Sequence, residues 1–104
     1  LDLVVAADVF VYIGDLAAMF EKSAKALGEG GRLAFTAEFM PDGETDAGWG
    51  LQQSGRFAHA RAYIEALAER SNFVVEAHER IVPRLENGKP VQGHLWVLRQ
   101  TTVA

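Results

Sequence analysis

The sequence predicts an α/β fold in the order β-α-β-α-β-β, with parallel leading strands and a terminal antiparallel hairpin. Three observations predict it. The opening stretch "LDLVVAADVF" (1–10) is apolar on both alternating faces before it reaches an acid, the pattern of a strand covered by helices on both sides. Two helical patterns then separate this run from later strand-like runs, and so short a strand, helix, strand unit joins parallel strands through a right-handed crossover. Near the end of the chain, Asn87-Gly88 lies between two strand-like runs, a strong signal for a two-residue hairpin turn.

The elements follow in order. Leu1 to Val9 form the first expected strand. Leu16, Met19, Phe20, Ala24 and Leu27 recur at helical spacing with Glu21, Lys22 and Lys25 opposite them; Asp15 is the expected N-cap, and Gly28 to Gly31 stop the helix. "GRLAFTAEF" (31–39) is the second strand. Residues 40–59 carry Pro, Asp, Gly, Trp and Gln-Gln without periodicity. They are expected as a long loop, which in a compact domain is more often functional than idle. Tyr63, Ile64, Leu67 and Ala68 mark the second helix, "FVVEAHERIV" (73–82) the third strand and "VQGHLWVLRQ" (91–100) the fourth. In the third strand, Phe73, Val75, Ala77 and Ile81 are expected on one face, with Glu76, His78 and Arg80 on the other, as suits an edge strand.

Composition narrows the function classes. With 104 residues, 49% of them hydrophobic, residues 1–104 make one domain at most, with a single core, and are short for a doubly wound enzyme. A formal net charge of −4 and no lysine or arginine run leave no footprint for a phosphate backbone, so nucleic acid is not an expected partner. The absence of cysteine excludes disulfides and thiolate metal sites and is compatible with the cytoplasm, the default location. No apolar run is long enough for a bilayer, and no HxxH, HxH or carboxylate cluster offers metal-ligand spacing. His78 and His94, both in strands, are therefore expected to be structural or solvated.

At this point the residues carry a resemblance. "LDLVVAADVFVYIGDL", a helix, "LGEGGRLAFTAEF", a helix, then "NFVVEAHERIV" and a hairpin return resemble the C-terminal half of a Rossmann-like S-adenosylmethionine-dependent methyltransferase. More narrowly, "ADVFVYIGDL", "SGRFAHARAYIEALAE" and "ENGKPVQGHLWVLR" are similar to predicted methyltransferases associated with tetratricopeptide repeats. The resemblance implies that the chain supplies the fourth to seventh strands of the family's sheet, the last inserted antiparallel between its neighbours. It also implies that the glycine-rich first loop and the ribose-gripping acid belong to a cofactor-binding N-terminal half ahead of Leu1, a partner within the same protein. "GEGGR" (28–32) follows a helix and precedes a strand, the reverse of a dinucleotide loop, and reads as a helix stop.

Ligands of open α/β sheets bind beyond the carboxyl ends of the strands. That rule selects Ala7 to Tyr12 and the chain from Glu38 onward. By the resemblance, Asp8, Val9, Phe10 and Tyr12 fall where methyltransferases face the cofactor's sulfonium and the acceptor: Asp8, Val9 and Phe10 on the cofactor, Tyr12 on the acceptor, with Asp8 also a catalytic candidate. Asp8 equally fits a strand cap, and Phe10 and Tyr12 equally fit core positions. Trp49, Gln52, Gln53, Arg56, Phe57 and His59 have the composition of a water-excluding lid, and Glu38, Trp49, Arg56 and Phe57 are the remaining substrate-binding candidates. His59, with an ordinary pKa near neutrality, is the general-base candidate; helix capping or packing are its alternatives.

Three functions compete: part of a methyltransferase using S-adenosylmethionine on an unidentified small molecule or protein, a nicotinamide-binding Rossmann fragment, or a non-catalytic interaction module. The terminal hairpin disfavours the second. The chain alone is expected to be inactive and to bind cofactor weakly, and to pair as a homodimer through the bare edge of its N-terminal strand.

Overall fold

A computed structural model describes residues 2–7 and 9–101. Strand β1 (Leu3–Ala6) is followed by a 3-10 turn (Phe10–Tyr12), helix α1 (Ala17–Ala26) and strand β2 (Arg32–Met40). Two short strands, β3 (Trp49–Leu51) and β4 (Phe57–Ala60), precede helix α2 (Arg61–Arg70), and the chain ends in β5 (Phe73–Glu86) and β6 (Lys89–Gln100). All six strands form one sheet in the order β3-β4-β2-β6-β5, with β1 also pairing β2. β1 and β4 run parallel to β2, whereas β6 lies antiparallel between β2 and β5.

The expected α/β order is present, with two short strands added. Residues 40–59 are not an unstructured loop. β3 and β4 pair antiparallel, Trp49 opposite His59, across a turn in which the Gln52 N–H donates to the Arg56 carbonyl at 2.8 Å. Strands of three and four residues are too short to display an alternation that sequence reading could find.

Local chemistry explains the boundaries. The Asp15 carboxylate accepts the Ala17 N–H at 2.9 Å, satisfying one of the free donors at the start of α1. Past the end of α1, Gly30 takes φ +81°, a left-handed conformation that costs glycine nothing. Asn87 and Gly88 have φ of 52° and 76°, as the expected two-residue turn requires.

Both helices cover one face of the sheet. Phe20 of α1, Leu27 just past its end, and Ile64, Leu67 and Ala68 of α2 pack on Ala6, Leu33, Phe35, Ala37, Trp96 and Leu98. Phe35 stacks nearly parallel to Trp96, with centroids 6.3 Å apart, and Phe20 meets Phe73 edge-on at 6.1 Å. The opposite face is open: Leu3 is 57% exposed and Val5 63%, beside half-buried Ala34, Leu95 and Val97. The first strand was expected to be covered on both sides. Here only Val4 and Ala6 face the helices, and β2 is its sole partner among the described residues.

A bulge corrects the expected faces of β5. The pairing steps from Val75 opposite Leu98 to Ala77 opposite Val97, leaving Glu76 as the extra residue. Such an insertion inverts the alternation beyond it. Val75, His78 and Arg80 consequently share the helix side with Leu98, Trp96 and His94, while Ala77 and Glu79 join the open side.

Candidate active site

Parallel strands β1, β2 and β4 end at Ala6, Met40 and Ala60, and the segments leaving them meet at one edge of the sheet. After β1 the chain turns tightly, with the Tyr12 N–H donating to the Val9 carbonyl and the Ile13 N–H to that of Phe10. A 3-10 turn repeats every three residues, so Val9 and Tyr12 share its outer side, 41% and 63% exposed. Phe10 points the other way. Its ring is fully buried, with centroids 4.7 Å from Phe35 and 6.4 Å from Phe20, so it holds the turn to the core and presents no surface to a ligand. Asp8 lies outside the described residues.

The β3–β4 hairpin closes over this turn. The Arg56 guanidinium stands 5.5 Å from the centroid of the Tyr12 ring, within reach of a cation–π attraction. Trp49 meets Phe57 edge-on at 5.7 Å, and its ring lies so close to Gly14 that a side chain there would collide with it. His59 is fully buried, with Nε2 2.9 Å from the Gly14 carbonyl. A carbonyl only accepts, so Nε2 carries the hydrogen. Burial pushes the His59 pKa below its ordinary range, partly opposed by the Gly14 carbonyl, and the ring is a neutral strut between β4 and the turn. Tyr63 completes the anchorage: it stacks with His59 at 6.1 Å, accepts the Leu16 N–H at 2.9 Å and donates to Asp15 at 3.3 Å.

Tyr12, Trp49, Arg56, Phe57 and His59 are thus brought together. The first four present surface, half-buried or more open, at the strand ends. His59 does not, and a general base must come within hydrogen-bond reach of the proton it takes; the enclosed ring instead sets the position of the turn. Neither is it a helix cap, because Asp42 accepts the Ala62 N–H at 2.9 Å at the start of α2. Glu38 stands apart, buried on β2 and lining a cavity of about 450 Å³ with Gln52, Gln53, Ser54 and Gln92.

Sequence reading missed Gly14, Tyr63 and Asp42 as parts of this assembly. Asp15 before a helical run signalled a cap, but nothing local could indicate that Tyr63, 48 residues on, shares that carboxylate. It also missed a histidine pair: His78 Nε2 lies 3.1 Å from His94 Nδ1, and Trp96 lies 4.0 Å from the His78 ring. Burial lowers the pKa of His94 to about 4, helped by the charges of His78, His59 and Arg80.

No protein-family model and no curated protein matches the chain, but solved structures do. An S-adenosylmethionine-dependent methyltransferase from Methanosarcina mazei superposes with a TM-score of 0.73 at 13% identity, over 98% of this chain and 60% of that one. The N-methyltransferase NodS from Bradyrhizobium japonicum, solved with S-adenosyl-L-homocysteine, gives 0.64 at 21% identity, over 97% of this chain and 46% of NodS. The chain has the methyltransferase fold. It spans between about half and three-fifths of the length of these proteins. The cyclase SpnF matches too, with a TM-score of 0.71 at 9% identity over 98% of this chain and 50% of SpnF, so the methyltransferase fold does not by itself specify methyl transfer.

Proposed function

We propose that this chain is part of an S-adenosylmethionine-dependent methyltransferase, of the kind associated with tetratricopeptide repeats, acting on a small-molecule or protein acceptor. The observation that carries the reading is the sheet order: a final strand inserted antiparallel between β2 and β5, in a chain whose structural neighbours include methyltransferases. S-adenosylmethionine supplies an electrophilic methyl group on a sulfonium, and displacement from it is accelerated chiefly by proximity and alignment. The residues present suit that task. In this reading Asp8 and the exposed Val9 face the cofactor, and Phe10 fixes their turn in the core. Tyr12, Trp49, Arg56 and Phe57 form the wall against which the acceptor rests, Glu38 contacts its far end, and His59 positions the turn through Gly14. The remaining cofactor contacts come from an N-terminal half of the same protein.

The test is isothermal titration of the full-length protein with S-adenosylhomocysteine, alongside methyl transfer from labelled S-adenosylmethionine. Micromolar binding, lost in Asp8→Ala, is expected, together with turnover that falls further in Tyr12→Ala and Arg56→Ala than thermal stability does. A protein that binds a nicotinamide dinucleotide in its place, or neither ligand, overturns the reading.

A further inference from the structure

A second cavity, of about 380 Å³, lies on the helix side of the sheet and is lined by Phe39, Asp42, Arg61, His78 and Arg80. It brings two guanidinium groups and an imidazole from two elements, α2 and β5, around the aromatic ring of Phe39 on β2. Arg80 lies over Phe39, its guanidinium carbon 3.6 Å from the ring centroid. Stacking of this kind holds the planar fork in place while leaving its N–H edges directed outward. The nearest hydrogen-bond partner of that guanidinium is a neutral amide, Gln92 Oε1 at 3.5 Å, and no carboxylate pairs with it among the described residues. Among the described residues, the ion pair of Arg61 is an exposed i,i+4 contact with Glu65 at 3.6 Å, which is weak in water. Asp42, the one acid lining the cavity, is occupied in capping α2.

Two guanidinium groups that face one cavity keep N–H donors open beside the Asp42 and Glu65 carboxylates, and an oxyanion between them accepts from those donors through charge-assisted hydrogen bonds. We propose that this cavity is a binding site for an oxyanion group, a carboxylate or a phosphate, held by Arg80 and Arg61 with His78 as the third donor. The site goes beyond methyl transfer and does not depend on it. Its placement also follows from the fold: the bulge at Glu76 turns His78 and Arg80 to the helix side, where α2 presents Arg61. His78 is faced by Arg61 and Glu65 of α2, Arg80 of β5, His94 of β6 and Asp42 of the loop before β3. Burial and the two arginines depress its pKa, with Glu65 opposing them. An anion beside it favours the charged imidazolium, so occupancy raises that pKa.

The experiment is a titration of the chain with inorganic phosphate and, separately, with succinate at constant ionic strength, read by the NMR shifts of the histidine rings. Saturable binding of one or both anions is expected, with the His78 titration moving to higher pH. Arg80→Met and Arg61→Gln should each weaken binding at least tenfold, while the control Lys22→Gln on the exposed face of α1 leaves it unchanged. Preference for phosphate or for succinate identifies the source of the oxyanion. Shifts that do not saturate, or an equal loss in the Lys22 control, overturn the proposal by reducing the effect to general screening. Circular dichroism of each variant separates lost binding from lost folding, and a folded Arg80→Met that binds as the unaltered chain does would refute the assignment.

Discussion

Replacing Gly14 by alanine tests the junction on which the candidate site depends. A β-carbon at position 14 would lie 2.4 Å from Trp49 Cζ3 and 2.6 Å from Cε3, well inside the roughly 3.5–4 Å of a comfortable carbon contact. The position has no left-handed φ, so the expected cost is steric. Trp49 cannot move aside freely, because its ring packs on Phe57 and its carbonyl accepts the Thr45 hydroxyl at 3.0 Å. Moving the turn would stretch the bond from His59 to the Gly14 carbonyl. Overpacking of this kind costs about 1–3 kcal/mol, and each kcal/mol lowers Tm by roughly 4–8 °C in a domain of this size. Gly28→Ala is the control: nothing lies within 4 Å of its β-carbon, and it should be neutral or stabilising by up to ~1 kcal/mol. Urea denaturation followed by tryptophan fluorescence gives both values. The decisive measurement is Gly14→Ala in a Trp49→Ala background, where the cost should fall below ~0.5 kcal/mol as the pair decouples. An unchanged cost there would show that Trp49 is not what position 14 meets, and the account of the junction would be wrong.

Three further outcomes are expected. Phe20→Ala removes a fully buried ring that touches Phe10, Phe35 and Phe73 and should cost about 3–5 kcal/mol in chemical denaturation; a loss below 1 kcal/mol would mean that this core is looser than described. Because His94 titrates at about 4 in the folded chain against an ordinary 6.5, the unfolded chain binds the extra proton first, so stability is full above pH 6.5 and declines as pH falls toward 4. His94→Gln should flatten the stability curve over that interval, and a slope unaltered in the variant would assign it to other groups. If the open face and the free edge of β1 draw two copies together, Val5→Lys, at a residue 63% exposed, should shift light scattering toward the monomer without lowering helicity; an unaltered chain that is already monomeric at high micromolar concentration would remove that association.

Much of the fold was legible because its signals are local. The apolar run of β1, the spacing of Leu16, Phe20 and Leu27, the glycines after α1 and the Asn87-Gly88 turn each act within a few residues, and each stands where sequence reading put it. The inserted antiparallel strand came from a resemblance carried by several such segments together. What sequence reading could not reach depends on contacts between distant segments. β3 and β4 exist because residues 49–51 and 57–60 find each other and the edge of β2, a gain invisible in strands so short. One extra residue at Glu76 inverts the faces of β5, and an alternation pattern cannot reveal where a bulge falls. His59 has the composition of a base and the position of a strut, since burial is a property of everything packed around a residue. Phe10 likewise could face a ligand or the core until Phe20 and Phe35 enclosed it. Arg61, His78 and Arg80 share a cavity only because a helix, a bulge and a sheet register converge there. Chain chemistry sets which elements form, and packing decides which side chains are left facing one another.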